Sequence, residues 1–152
     1  SFRRIYKYDE NIIIPDGYEI FKVDSKFLEK LKGGEFENKA FLTERLLMAW
    51  DMYEDYLKKS VAFVAVNKNR IVAVIVGTSR FKSVIPIDIE TEPSHRKRGI
   101  AFALIRYFVN ECIDNGYIAQ WDCMDSNIAS KRIAEKAGFQ FFKKSTVFWF
   151  EI

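Results

Sequence analysis

The feature that most limits how this chain can fold is a change of hydrophobic period at Val61. Before it the apolar residues recur at helical spacing; after it come two continuous runs, VAFVAV and IVAVIVG, separated by Asn67-Lys68-Asn69-Arg70. Uninterrupted β-branched runs of strand length, joined by a short polar turn, describe a hairpin buried on both faces. A sheet of that kind needs cover above and below, so the rest of the chain has to supply two layers. A third strand, VIPIDIET, is expected from Val84 to Thr91. Pro86 denies it one ladder hydrogen bond, which predicts an edge or an irregular pairing there.

The second half alternates strand and helix. A helix is predicted from about Ile100 to Asn115, a strand over YIAQWDCM, and a helix from about Asn127 to Ala137 ended by Gly138. Two terminal strands, FQFFKK and TVFWFEI, are expected to close the chain, the last as core or as a dimer edge. Upstream, a short strand from Tyr18 to Val23 follows the turn Pro15-Asp16-Gly17. Ser25 is the expected N-cap of the helix FLEKLK, which Gly33 and Gly34 end. One longer helix, TERLLMAWDMYEDYLKK, is predicted from Thr43, with Leu46, Leu47, Trp50, Tyr53 and Leu57 packing into the core. That stripe is also placed to form one wall of an acceptor pocket.

Composition narrows the classes of function. At 152 residues with 49% apolar content the chain can bury a full core, and one domain over 1–152 is expected. The formal charge is only +3, from 24 basic and 21 acidic residues, so bulk electrostatics argue against nucleic acid and anionic membrane as partners. Cys112 and Cys123 are too few for a disulfide framework or a zinc site, so no metal and a reducing, cytoplasmic setting are expected. Apolar runs are strand-length rather than membrane-length, and no signal core follows a charged start. The chain opens on Ser1 rather than Met, which leaves room for a longer protein around this domain.

The segment SHRKRGIAFALI carries the chemistry. Arg96, Lys97 and Arg98 stop at Gly99 and pass directly into a helix of small and apolar residues. A helix start offers unpaired N–H groups and the positive end of the macrodipole, and glycine lets a ligand approach the backbone. Ala101 keeps the first turn free of bulk. The pattern asks for an anion such as a phosphate or pyrophosphate, with a solvated basic turn as the competing reading.

A second motif follows, DSNIASKRIAEKAGF, with Asn127, Ser130, Ala134, Lys136, Gly138 and Phe139 at fixed spacings. Here the chain resembles the GNAT superfamily of acyl-CoA N-acyltransferases. The family pattern Arg/Gln-x-x-Gly-x-Gly/Ala is matched by Arg96, Gly99 and Ala101. Its helix Asn-x-x-Ala-x-x-Leu-Tyr-x-Lys-x-Gly-Phe is matched from Asn127 through Phe139, with Ser130 and Ile133 as variants. The match covers roughly Val61 to Ile152, with the first 60 residues agreeing in element order. WDC…N..S..A is reminiscent of a little-studied branch of acetyltransferases.

The resemblance implies an α/β fold with a mixed, mostly antiparallel central sheet of about six to seven strands flanked by helices, splayed between its fourth and fifth strands. It implies acetyl-CoA as co-substrate and a small-molecule or peptide amine as acceptor, for a monomer or homodimer. Backbone groups at Ile89, Glu90 and Thr91 would pair with the pantetheine arm. Loop amides of Arg96, Lys97, Arg98, Gly99, Ile100 and Ala101 would hold the pyrophosphate, with Lys97 or a neighbouring cation on the ribose phosphate. Asn127 and Ser130 would lie near the thioester.

Departures from the family bear on catalysis. Many relatives carry a tyrosine as general acid where Ala134 stands. Transfer to an amine still needs a base, and Asp122, at the end of the strand before the second motif, is the first candidate; a structural carboxylate is the competing reading. Glu90 and Asp88, of opposite parity to Ile87 and Ile89, are the others. His95 is expected on the surface and Cys123 inert, having no histidine partner in the motif. An acyl-CoA-binding module without turnover is the alternative function, and a nucleic-acid-binding domain using the Arg-Lys-Arg run a weaker one.

Overall fold

The computed structural model describes residues 1–9, 11–124 and 126–142. Seven strands among them form one sheet in the order β2-β3-β4-β5-β6-β1-β7. These are β1 (Phe2–Arg4), β2 (Glu19–Lys22), β3 (Ala62–Asn67), β4 (Arg70–Gly77), β5 (Val84–Thr91), β6 (Ile118–Trp121) and β7 (Gln140–Phe141). Every pairing is antiparallel except β5 with β6. The mixed, mostly antiparallel sheet is the expected one, with an unforeseen short strand, β1, placed between β6 and β7. The predicted fourth and fifth strands are therefore β5 and β6. The terminal TVFWFEI strand lies outside the described residues.

β3 and β4 make the predicted hairpin. Lys68 and Asn69 both adopt positive φ, 47° and 64°, and Asn67 pairs with Arg70, so the turn is a two-residue loop whose twist suits the strands. Burial on both faces follows, with Val64, Ala65, Val72, Ala73, Val74 and Ile75 all inaccessible. One face carries α4 (Ile100–Asp114), whose Leu104, Ile105, Phe108 and Val109 are fully buried, and the Ala134 and Ala137 side of α5 (Ile128–Lys136). The other face carries α1 (Ser25–Lys32), α2 (Ala40–Ala49) and α3 (Tyr53–Lys59), through Phe27, Leu31, Leu42, Leu46 and Tyr56. No helix among the described residues is long and apolar enough to cross a membrane.

Two expectations are corrected in the first half. Asp24, not Ser25, caps α1, its carboxylate accepting from the Phe27 amide at 2.8 Å, the N3 bond of a capped helix. The long helix from Thr43 is two helices. Trp50 leaves α2 in an extended conformation (φ −129°, ψ 130°), and its indole N–H donates to the Gly77 carbonyl at 2.8 Å. The break takes Leu47 and Leu57 out of the core, leaving them 47% and 39% exposed, and buries Tyr56 instead. Gly77 itself is required by close packing, since a Cβ there would lie 2.3 Å from Ser60 Oγ and 2.5 Å from Ile85 Cγ2.

The irregular pairing predicted at Pro86 coincides with a fork in the sheet. β5 and β6 share three registered pairs, Val84–Ile118, Ile85–Ala119 and Pro86–Gln120, and no more. Beyond Pro86, β5 continues to pair with β4 from Ile87 to Thr91, with no strand registered on its other edge among the described residues. Pro86 turns its carbonyl to the β4 side, accepting from the Thr78 amide at 3.1 Å, so its missing N–H is a gap on that ladder; the next groups of β5 that could bond β6 are those of Ile87, where the registered pairing has already ended.

Candidate functional site

The open edge of β5 is the spine of the site. From Ile87 to Thr91 it extends about 13 Å at the usual strand rise of about 3.3 Å per residue. Side chains alternate along it. Ile87 and Ile89 pack with the α4-side core, so Asp88 and Glu90 face the side that carries α2. At its far end the chain turns through Glu92 and a single 3₁₀ turn, Pro93–His95, toward the basic loop. Arg70 grips Glu92 with two bonds of 2.9 and 2.8 Å, which hold that carboxyl below the usual range and anchor the exit of the strand.

The loop has the backbone of an anion cradle. Lys97 (φ 63°) and Gly99 (φ 83°) are both left-handed, and Gly99 is the N-cap of α4 with no side chain capping the helix. The helix ladder opens with the Ala103 N–H on the Gly99 carbonyl at 3.3 Å. The amides of Ile100, Ala101 and Phe102 therefore have no acceptor within the helix and point out of its positive end. A Cβ on Gly99 would meet only Pro15 Cγ, at 3.8 Å. Glycine is thus set here by φ rather than by crowding from the protein itself.

The three cations differ. Arg96 folds back onto β5: its Nε donates to the Thr91 carbonyl at 3.1 Å and one Nη to Glu90 Oε1 at 3.0 Å, while its amide donates to the Pro93 carbonyl at 3.4 Å. Arg98 reaches the Tyr18 hydroxyl at 3.4 Å, and the same hydroxyl lies 2.7 Å from His95 Nδ1. The Tyr18 and His95 rings meet edge to face at 5.6 Å. Tyr18 thereby ties both ends of the loop to the approach of β2, and His95, read as a surface residue, has a partner 77 positions away.

On the α2 side, Arg45 lies between the two β5 carboxylates. Its guanidinium is 3.0 Å from Asp88 Oδ2 and 3.7 Å from Glu90 Oε2. Glu90 thus has a guanidinium at each oxygen, Arg96 on one and Arg45 on the other. Beside this cluster opens a groove of about 360 Å³ lined by Arg45, Met48, Ala49, Thr78 and Asp88. The helix read as a possible pocket wall does line it, through residues other than the aromatic stripe.

Asp122 sits one residue past β6 rather than on it, because β6 loses β5 after Gln120 and its pairing with β1 ends at Trp121. It is exposed, with both carboxylate oxygens 3.1 Å from Gln120 Nε2, and Arg3 Nε in turn donates to Gln120 Oε1 at 2.9 Å. Asn127 caps α5, accepting from the Ser130 amide at 3.1 Å. Ser130 Oγ accepts from the Trp121 indole at 2.9 Å, which ties α5 to the end of β6. Ala134 is fully buried, so that position itself supplies no polar group. Arg45, Thr78, Tyr18 and Gln120 escaped the sequence reading. None belongs to a local pattern, and their place at the site comes from pairing between distant segments.

Comparison with known proteins agrees with this geometry. The family described as GNAT acetyltransferase matches residues 7–148. An N-acetyltransferase of Bacillus subtilis (strain 168), YdfB, itself uncharacterized, is 21% identical over 142 residues, covering 93% of this chain and 52% of its own. A GCN5-related N-acetyltransferase-like protein from Streptococcus suis 89/1591 superposes with a TM-score of 0.68 at 20% identity, covering 94% of this chain and 58% of its own. The aminoglycoside acetyltransferase AAC(6')-Iy, solved with a bisubstrate analog of CoA, gives 0.62 at 16% identity over 89% of this chain and 99% of its own. The chain spans about half the length of the first two. With the family pattern running through nearly all of its residues, the chain belongs to the GNAT acetyltransferase family.

Proposed function

We propose that this chain transfers an acetyl group from acetyl-CoA directly to a primary amine. The observation that carries the reading is the fork. A strand edge with no ladder partner among the described residues, Ile87–Thr91, leads through the Pro93–His95 turn to a helix N-terminus whose loop is held in left-handed geometry at Lys97 and Gly99. Strand-like pairing suits an arm containing amides, and the loop suits a pyrophosphate. Ile89, Glu90 and Thr91 offer the edge, and the amides from Lys97 to Ala101 the cradle. Arg96 contributes as the tether between them, through Thr91 and Glu90. Asn127 and Ser130 shape the opposite lip by fixing α5 to Trp121.

When bound, acetyl-CoA supplies an activated thioester at the closed end of the fork. The acceptor amine adds its lone pair to the carbonyl carbon, loses a proton, and the carbon–sulfur bond breaks to leave coenzyme A. This chain's part is to orient the two reactants and take the proton. Asp122 is the leading base: it is solvent-accessible beside the fork, and Gln120 orients both its oxygens. Glu90 is second, because its oxygens must first be released by Arg96 and Arg45. With Ala134 buried, the departing thiolate takes its proton from solvent or from the intermediate.

A second reading, an acyl-CoA-binding module without turnover, is favoured by the same two facts, the occupied Glu90 and the apolar Ala134. One experiment separates them. Thermal shift with acetyl-CoA is expected to be positive under both, since a ligand of the folded state raises apparent stability. Release of free coenzyme A in the presence of a primary-amine panel is expected only under the first. No shift at millimolar acetyl-CoA, with the fold verified by circular dichroism, overturns both.

A further inference from the structure

The Arg45 cluster bears on what kind of amine the groove accepts, and the inference rests on the acetyl-transfer reading above. Around the groove the formal charges cancel: Arg45 and Arg96 against Asp88 and Glu90. A polyamine brings surplus positive charge and meets no surplus negative charge here. A simple monoamine can take the place of the guanidinium on Asp88 and Glu90, but it then strands Arg45, whose side chain is only 27% exposed. An ion deprived of its partner at partial burial is penalised more than an exposed one. The exchange balances only if the incoming molecule carries an anion of its own.

We propose that the acceptor is a small zwitterion, an amino-carboxylate with an apolar side chain. Its ammonium replaces Arg45 between Asp88 and Glu90, and its carboxylate pairs with the released guanidinium, whose planar fork suits a carboxylate. Arg45 stands 3.0 and 3.7 Å from Asp88 and Glu90, so a guanidinium released by the ammonium stays close enough to meet a carboxylate on the same small molecule. The remaining walls choose the side chain: Met48 and Ala49 offer an apolar surface and Thr78 a single hydroxyl.

The test is a matched panel. Leucine and isoamylamine differ only by the carboxylate, and spermidine adds positive charge. In the unmodified protein kcat/KM for leucine should exceed that for isoamylamine by about tenfold or more, with spermidine poorest, since a partly buried ion pair is worth at least that factor. Arg45→Met should bring the leucine-to-isoamylamine ratio to about one while leaving the acetyl-CoA thermal shift unchanged. Arg45→Lys, which keeps the charge and loses the fork, should fall between the two and also guards against a misfolded Met variant. Preference for spermidine or isoamylamine in the unmodified protein overturns the proposal, as does a ratio indifferent to Arg45→Met. If acetyl-CoA binds and no amine is acetylated, the transfer reading fails and this proposal with it; acetylation with the wrong preference removes this proposal alone.

Discussion

The two ends of the site are built from different materials. The loop end, from β5 to Phe102, offers backbone: a strand edge with no ladder partner among the described residues, left-handed Lys97 and Gly99, and a helix N-terminus that no side chain caps. The groove end offers side chains from three elements, Arg45 on α2, Thr78 after β4 and Asp88 on β5. Backbone recognition depends on local conformation, so its requirements are written into consecutive residues. Side-chain recognition depends on where distant segments meet, and a few substitutions can change the groove while the loop stays as it is. A chain of this design keeps one co-substrate and is free to vary the other.

The largest expected effect falls between the two ends, at the proposed proton acceptor. Asp122→Asn keeps size and the contact with Gln120 but removes the proposed base, so turnover should drop by about two to four orders of magnitude with acetyl-CoA binding near normal. Initial rates against pH for both proteins check it: the unmodified protein should climb through a limb that the variant lacks. A variant with full rate and the same limb moves the role to Glu90, testable by Glu90→Gln.

Next comes the backbone end. Gly99→Val forces a β-branched residue to φ near 83°, and its side chain stands where the phosphate would approach. Acetyl-CoA affinity should fall by about a hundredfold, equivalent to about 2.7 kcal/mol, while circular dichroism stays native. Because a Cβ there meets only Pro15 at 3.8 Å, the fold itself should survive. Retained affinity would mean that the loop is not a backbone cradle, and the contrast with the groove would disappear.

Tyr18→Phe sharpens the comparison with a smaller change. It removes the hydroxyl that holds His95 and Arg98 without touching the loop backbone. A positioning role predicts that KM for acetyl-CoA rises about three- to tenfold with kcat within about twofold, since one such hydrogen bond is worth about 1 kcal/mol. Equal losses in both parameters would place Tyr18 in the chemistry instead.

The smallest effect is a control away from both ends. Cys112 is fully buried, and burial pushes its thiol up from 9.0 to about 12. Below pH 9 folded and unfolded chains both hold that proton and nothing is lost. Between about 9 and 12 only the folded chain holds it, so stability should decline as pH rises, and Cys112→Ala should flatten the decline. Denaturant midpoints at pH 8 and 10.5 measure it. In the native protein at pH 8, iodoacetamide should label the part-exposed Cys123 and spare Cys112.

Much of the architecture was legible in residue order because it rests on short-range physics. The hairpin turn at Lys68-Asn69, the bounds of β5, and the start of α4 at Gly99 follow from apolar period, turn chemistry and helix capping, each confined to a few neighbouring residues. The fork falls at Pro86, where an irregular pairing was expected, but the missing N–H of that residue lies on the β4 side, so the parting of β6 from β5 was not written in it. Tertiary contact decided the rest. The helix predicted across Trp50 is broken because its indole finds the Gly77 carbonyl, 27 residues on. β1 lies between β6 and β7 because Phe2 and Arg3 find Trp121 and Gln120, more than a hundred residues away. Arg45 became the centre of the charged cluster beside the groove only once α2 was laid over the face of β5 that bears Asp88 and Glu90. A lone arginine on an amphipathic helix carries no mark of that, because its meaning lies in two carboxylates more than forty residues further along a strand.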